Sequence, residues 1–336
     1  MAISTSRLGR RRWIGQRTWR NRFPFRFSSR RLFRLTILCL AFIAILPPIY
    51  FHFKLKRLQQ IQQKNCNWLT HPPLVCAHGG DSSKAFPNTM DAYTIALRSQ
   101  ANCIEVDVSR SSDGVLFALH DRFDYHLTGR DLQRITGSNT SKVGNYSRKE
   151  IKNLVAVYQH THKLLDFNIP TIEEALGLIS KSVQQVILDA KVGPPSYENG
   201  LAKDIISVVE KTQCKNCLVW AKSDSLARDI IRSSLDIKVG YIVMKDPSTG
   251  ERTNLLRMKG AKVVGVYHPL IDGDLIRILH RRDRKVYAWT VDDIESMKRM
   301  LVEGVDAVVT SNPTLLGSVM QDTRTTCLEN GFSISS

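Results

Sequence analysis

The chain has 336 residues and a formal net charge of +17 at pH 7, with 43% hydrophobic and 24% charged residues. Eleven arginines fall within residues 1–34, which contain no lysine and no acidic residue, so residues 35–336 keep a net charge of +6. The excess charge is therefore confined to one end of the chain. Because an apolar segment follows it directly, we expect this charge to set membrane topology. The apolar segment also argues against nucleic acid as the partner of the basic arm.

Residues 35–53 form that apolar segment. Nineteen residues are just long enough for a helix to span a bilayer, although Pro47 and Pro48 predict a break or kink near its far end. The basic arm precedes the segment and only three basic residues follow it closely, so the positive-inside rule places the N-terminus in the cytosol.

The sequence thus predicts a single-pass type II signal anchor. Residues 1–34 are the cytosolic arm, 35–53 the transmembrane segment and 54–71 a linker, and the remainder faces the secretory lumen or the outside. An arginine-rich, acid-free arm is also typical of a transit peptide, and that alternative places the protein in a plastid or mitochondrial membrane.

Beyond the linker, short apolar segments alternate with segments whose apolar residues recur every three or four positions. This alternation predicts parallel strands connected by helices. The nine candidate strands are residues 74–77, 103–108, 115–119, 186–191, 218–222, 239–244, 263–267, 286–290 and 307–310.

Polar side chains stand in or just after these strands. Glu105 and Asp107 alternate on one strand face, so their carboxylates point to the same side. Asp189 and Lys191 alternate in the same way on a later strand. Buried like charges repel each other, and a cation is the usual reason for keeping them together.

These residues belong to an ordered set of motifs that resembles the glycerophosphodiester phosphodiesterase family. The match runs from about residue 72 to 318 and includes a first strand that ends in a histidine, a Glu-x-Asp strand, a His-Asp pair and a Trp-Thr-Val strand end. The matching residues are His78, Gly80, Asn88, Thr89, Glu105, Asp107, Asp113, Gly114, His120, Asp121, Ile169, Pro170, Thr171, Glu173, Lys191, Trp289, Thr290, Val291, Gly304, Val305 and Asp306.

The resemblance implies a (β/α)₈ TIM barrel over residues 72–318, followed by a C-terminal tail at 319–336. The 265 residues from Pro72 to the end suit a barrel of about 250 residues. Nine candidate strands are one too many, so residues 115–119 are expected to form an extra hairpin arm or an irregular strand. Active sites of such barrels lie at the C-terminal strand ends, where the polar residues converge.

The resemblance also implies the roles of these residues. Glu105, Asp107 and Asp189 would bind a divalent cation, and oxygen ligands favour Mg²⁺ or Ca²⁺. His78 and His120 would be the acid–base pair. Lys191 and Trp289 would bind the substrate.

The reaction implied is metal-dependent hydrolysis of a small-molecule glycerophosphodiester to sn-glycerol 3-phosphate and an alcohol such as choline, ethanolamine or inositol.

Three departures from the family pattern bear on whether the chain catalyses this reaction. Gly79 stands where the family has arginine, Pro87 where it has glutamate, and Asp189 where it has a longer glutamate. The alternative function is a membrane-anchored barrel, weakly active or inactive, that binds phosphodiester or lysolipid headgroups.

The segment between Asp121 and Asp166 is expected to be a short insertion over the barrel mouth, polar and mobile. It carries two glycosylation sequons, at Asn139 and Asn145, which agree with a lumenal barrel.

Among the seven cysteines, Cys214 and Cys217 are predicted to form a disulfide in an oxidising lumen. Cys76 and Cys103 lie on predicted strands and are expected to be packing residues.

Overall fold

The computed structural model describes residues 29–120, 132–138, 140–163, 167–246 and 248–332. The chain divides into two compact units, Met1–Gln59 and Gln60–Ser336.

Helix α1 spans Ser29–Cys66 and contains the whole predicted transmembrane segment. Its large apolar side chains from Leu32 to Ile61 are exposed, and its length and composition allow it to cross a membrane. The helix continues through Pro47 and Pro48, where a break or kink was expected. It also continues to Cys66, so much of the segment predicted as a linker is helical.

The second unit is built on nine strands, eight of them parallel. They are β1 Leu74–His78, β2 Cys103–Arg110, β3 Leu116–Ala118, β4 Gln185–Ala190, β5 Cys217–Ala221, β6 Lys238–Val243, β7 Val263–Tyr267, β8 Lys285–Trp289 and β9 Ala307–Thr310. The parallel strands follow the order β1, β2, β4, β5, β6, β7, β8, β9, and the pairing of β9 with β1 closes the barrel. Among the described strands, β3 pairs antiparallel with β2, and its Phe117 also forms an isolated bridge with Thr171, which confirms the expected hairpin arm.

Helices connect the strands and cover the outside of the barrel. They are α2 Met90–Arg98, α3 Leu132–Thr136, α4 Arg148–Thr161, α5 Ile172–Ile179, α6 Leu201–Lys211, α7 Asp224–Ser233, α8 Gly273–His280, α9 Ile294–Glu303 and α10 Pro313–Glu329. Side-chain oxygens of Thr89, Ser147 and Thr171 cap α2, α4 and α5 by accepting backbone N–H bonds. The predicted (β/α)₈ barrel is therefore confirmed.

Side chains fill the barrel interior below the polar strand ends. Trp220 on β5 and Tyr287 on β8 are almost fully buried there. The indole of Trp220 fits because Gly265 on β7 has no side chain: a Cβ at that position would lie 2.7 Å from the Trp220 ring. The packed interior gives the polar residues above it a rigid, water-excluding base.

Three disulfides join the cysteines of the barrel unit: Cys66–Cys327, Cys76–Cys103 and Cys214–Cys217. The prediction for Cys214 and Cys217 is confirmed. The interpretation of Cys76 and Cys103 as packing residues was wrong, because β1 and β2 are neighbours in parallel register with these two residues paired, which brings their sulfur atoms together. The Cys66–Cys327 bond ties the end of α1 to α10.

The predicted insertion forms ordered structure where it is described. Helices α3 and α4 bury Leu132, Ile135, Ile151 and Val155 in a cluster that also includes Phe117 of β3. This apolar face was hidden in a locally polar sequence because its residues are three or four positions apart. The expectation of a polar segment is therefore wrong for the buried face of these helices, and its mobility stays a prediction. Residues 121–131, 139 and 164–166 lie outside the described part of the chain.

Candidate active site

Three carboxylates converge at the C-terminal ends of β2 and β4. Parallel register places Asp107 of β2 beside Asp189 of β4, and Glu105 lies two residues earlier on the same face of β2. All three are buried, and oxygen atoms from each lie within 4.8 Å of one another. The grouping predicted from the alternation along two strands is therefore present.

His78 is the last residue of β1 and pairs in register with Glu105. The amide N–H of Gly79 donates a hydrogen bond of 3.0 Å to the Glu105 carboxylate and fixes it next to the histidine. Burial lowers the pKa of His78, although Asp107 and other nearby carboxylates oppose this shift. The lowered pKa favours the neutral imidazole, which is the form that can accept a proton.

Lys191 neutralises part of the carboxylate charge. Its Nζ lies 2.7 Å from Asp107 Oδ1 and also contacts Asp189 Oδ2. Burial alone disfavours its charged form, but Asp107 and Asp189 reverse the effect and raise the pKa of Lys191. The residue predicted to bind substrate thus lies between two predicted metal ligands.

One lysine does not balance three carboxylates. Burial raises the pKa of both Glu105 and Asp189, and repulsion from Asp107 adds to the effect. For Asp107, burial also favours the neutral acid, but Lys191, His120 and His78 outweigh it and lower its pKa. Asp189 Oδ1 is buried and has no hydrogen-bond partner among the described residues. A bound cation would satisfy this oxygen and favour ionisation of the carboxylates, so the donor set fits a hard divalent ion.

Asn88 orients Asp107, a role that the sequence did not assign. Its Nδ2 donates a 2.7 Å hydrogen bond to Asp107 Oδ2, and its Oδ1 accepts one from the backbone N–H of Asp107 at 3.2 Å. Tyr93 Oη also donates to Asn88 Oδ1 at 3.2 Å. The residue was visible as part of the Asn88-Thr89 motif, but only the fold shows that it contacts β2.

The other predicted residues lie at the same end of the barrel. His120 follows β3, and its charge, like that of His78, is among those that lower the pKa of Asp107. Trp289 ends β8, and its ring centroid lies 5.6 Å from that of Tyr267. Asp292 accepts hydrogen bonds from the Ser311 backbone N–H at 2.7 Å and from its hydroxyl at 3.0 Å. Asp121, the partner of His120 in the sequence motif, lies outside the described residues.

A separate groove of about 660 Å³ lies between α2 and α4, lined in part by Arg98, Lys152 and Phe167. None of the predicted site residues lines it. We place the candidate active site at the carboxylates because acid–base and ligand groups converge there.

Gly79 has a backbone conformation that disfavours the arginine of the family pattern. Its φ is +62°, and a Cβ would lie 3.0 Å from Pro87 Cβ. Two departures from the pattern are therefore in contact with each other: a proline ring occupies the space beside the glycine.

We expect Gly79→Arg to lower stability by about 1–2 kcal/mol, because a side chain at positive φ is strained. It should not increase turnover. Thermal unfolding and rate measurements on Gly79→Arg and Gly79→Ala will test this, since both variants introduce the Cβ and only one adds a guanidinium. A Gly79→Arg variant that is as stable as the natural protein and faster would contradict it.

Comparisons with known proteins show the family to which the chain is similar. A model of the glycerophosphoryl diester phosphodiesterase family matches residues 78–315. Glycerophosphodiester phosphodiesterase GDPD4 of Arabidopsis thaliana is 60% identical over 334 residues, covering 99% of both chains. A glycerophosphodiester phosphodiesterase of Caldanaerobacter subterraneus subsp. tengcongensis is 28% identical over 245 residues, which are 72% of this chain and 96% of that one.

Solved structures share the fold at low sequence identity. A phosphodiesterase of Oleispira antarctica, in complex with the product sn-glycerol-3-phosphate, has a TM-score of 0.59 and 22% identity, covering 74% of this chain and 97% of its own. A glycerophosphoryl diester phosphodiesterase structure from Silicibacter pomeroyi has a TM-score of 0.59 and 20% identity, covering 81% of this chain and 99% of its own.

Proposed function

The chain belongs to the glycerophosphoryl diester phosphodiesterase family, and from this premise we propose that it hydrolyses glycerophosphodiesters to sn-glycerol 3-phosphate and an alcohol in a metal-dependent reaction. The main observation in support of this proposal is that Glu105, Asp107 and Asp189 converge beside the buried His78. Neither a purely structural barrel nor a headgroup-binding surface requires three carboxylates to be buried together next to a neutral imidazole.

Glu105, Asp107 and Asp189 would hold Mg²⁺ or Ca²⁺ through oxygen atoms. Such an ion supplies charge stabilisation to phosphoryl oxygens. The chain's own residues prepare the site for it: Asn88 fixes the carboxylate of Asp107, and the N–H of Gly79 fixes that of Glu105. Because Lys191 pairs with Asp107 and Asp189, it would have to move or share these oxygens when a cation binds.

His78 and His120 would perform the proton transfers. One imidazole would accept a proton from a water molecule whose oxygen forms the new bond to phosphorus, and the other would donate a proton to the alcohol oxygen as its bond to phosphorus breaks. Burial keeps His78 neutral, which suits the accepting role. Trp289 would line the substrate site at the end of β8.

Assay of the full-length chain in detergent against glycerophosphocholine tests this function. We expect release of sn-glycerol 3-phosphate that a chelator abolishes and that Mg²⁺ or Ca²⁺ restores. If glycerophosphocholine binds but no product forms with either ion, the protein is a binding barrel and the proposed activity is wrong.

We also propose that α1 anchors the protein in a membrane with residues 54–336 on the lumenal or outer side. Within this division, residues 1–34 are a cytosolic arm, 35–53 span the membrane, and 72–318 form the catalytic barrel. The three disulfides support an oxidising compartment, because such bonds are rare in the cytosol.

This topology predicts glycosylation in a eukaryotic cell. Asn145 is exposed and starts a sequon, and Asn139 starts another outside the described residues, so endoglycosidase treatment should shift the mobility by one or two glycans. The Asn139→Gln/Asn145→Gln double variant should show no shift. A natural protein that is unglycosylated and protease-accessible in sealed microsomes would instead favour the organelle alternative.

A further inference from the structure

Lys222 is a second lysine at the mouth of the barrel, and neither the motifs nor the family resemblance assigned it a role. Strand β5 ends at Ala221, which pairs in register with Ala190 of β4. Lys222 therefore follows β5 at the level where Lys191 follows β4. Its side chain is exposed, in contrast to the largely buried Lys191.

The side chain of Lys222 extends over the barrel opening. Its Nζ lies 5.9 Å from the ring centroid of Trp289 at the end of β8. Two strands, β6 and β7, separate β5 from β8 in an eight-stranded barrel, so Lys222 and Trp289 together span most of the mouth. A cation over an indole face is held there by the ring quadrupole.

A phosphodiester that approaches three carboxylates needs a positive partner besides the metal ion. Lys191 is already paired with Asp107 and Asp189. Gly79 provides no side chain, and its positive φ disfavours a larger residue. The chain therefore lacks a cation at the place where the family pattern has an arginine, while a lysine extends over the same opening from β5.

We infer that Lys222 binds the non-bridging phosphate oxygens of the substrate, in place of the arginine absent at position 79. This inference rests on the proposed function, since it names a residue that recognises the phosphate in the same site. A lysine suits the task because its long, flexible stem presents a compact charge with three N–H donors. The contact with Trp289 keeps the ammonium group over the mouth when substrate is absent.

The test compares Lys222→Met, Lys222→Arg and, as a control, Lys238→Met in the full-length chain in detergent. Lys238 is exposed at the start of β6, at the opposite end of the barrel. Because a phosphodiester is anionic in both the ground state and the transition state, Lys222→Met should raise KM for glycerophosphocholine about ten- to a hundredfold with little change in kcat. Lys222→Arg should keep most of the affinity, and Lys238→Met should match the natural protein.

Binding of sn-glycerol 3-phosphate, measured by calorimetry with metal present, separates this inference from the proposed activity. Lys222→Met should weaken that binding by a similar factor, even if the natural protein turns over no substrate. Equal binding by Lys222→Met and the natural protein would overturn the inference. Failure of the natural protein to hydrolyse glycerophosphocholine, with binding weakened only in Lys222→Met, would overturn the proposed activity and support the role of Lys222.

Discussion

Replacing Asp107 with asparagine is expected to reduce turnover of glycerophosphocholine by at least about 10³-fold, because the proposed metal site would lose a charged ligand and with it several kcal/mol of charge stabilisation. The fold should survive, since asparagine has nearly the same shape and still offers an oxygen to Asn88. Burial already disfavours ionisation of Glu105 and Asp189, so removing one negative charge also relieves repulsion. Lys191 would still keep its contact with Asp189.

Calorimetric titration with Mg²⁺ and Ca²⁺ should show weakened or absent binding in Asp107→Asn and unchanged binding in Asp306→Asn. Asp306 is a matched control because it lies at the opposite end of the barrel and accepts hydrogen bonds from Val286 N–H and His280. Its variant should lose stability and keep chelator-sensitive turnover per folded molecule. The assignment of the metal site fails if Asp107→Asn binds the ion and turns over substrate like the natural protein.

Replacing His78 or His120 with alanine will lower kcat by about 10²-fold or more, as expected for loss of general acid–base catalysis. Metal binding should be retained, because neither imidazole belongs to the carboxylate group. The exposed His160 on α4 provides a control whose alanine variant should be fully active. Added imidazole should partly restore the His78→Ala variant, since truncation leaves a buried space of the right size.

The pH dependence has a defined sign at His78. Burial lowers its pKa below the ordinary 6.5, so the neutral base persists in the folded protein as the pH falls past that value. The contribution of His78 to the free energy of unfolding is fully present above pH 6.5. It is lost as the pH falls through the lower pKa of the folded state. If the alanine variants kept near-normal turnover at every pH and imidazole had no effect, the two-histidine mechanism would be wrong.

Much of the site could be predicted from local sequence. Alternation along a strand places Glu105 and Asp107 on one face whatever the rest of the chain does, because successive side chains point to opposite sides. The apolar segment at 35–53 likewise marks its own helix through length and composition. The surplus strand at 115–119 was identifiable because eight parallel strands complete a barrel and a ninth has no place in it.

Other features required the tertiary structure, because they depend on which strands become neighbours. Parallel register between β1 and β2 turns Cys76 and Cys103 into a disulfide, and no spacing along the chain indicates it. The apolar face shared by α3 and α4 was likewise masked by polar neighbours in the sequence. Strand order also brings Lys191 onto two carboxylates, although a lysine near a phosphate site was expected to contact the phosphate.

The sequence by itself determined the family, the alternating barrel elements, the identity of the candidate ligands and the charge asymmetry around α1, since each is encoded in short segments. Only the fold decided that Asn88 orients Asp107, that Gly79 and Pro87 are in contact, and that the ammonium group of Lys222 lies over the ring of Trp289. Those contacts join residues from different βα units. Their distances are set by closure of the barrel, which no local pattern in the chain specifies.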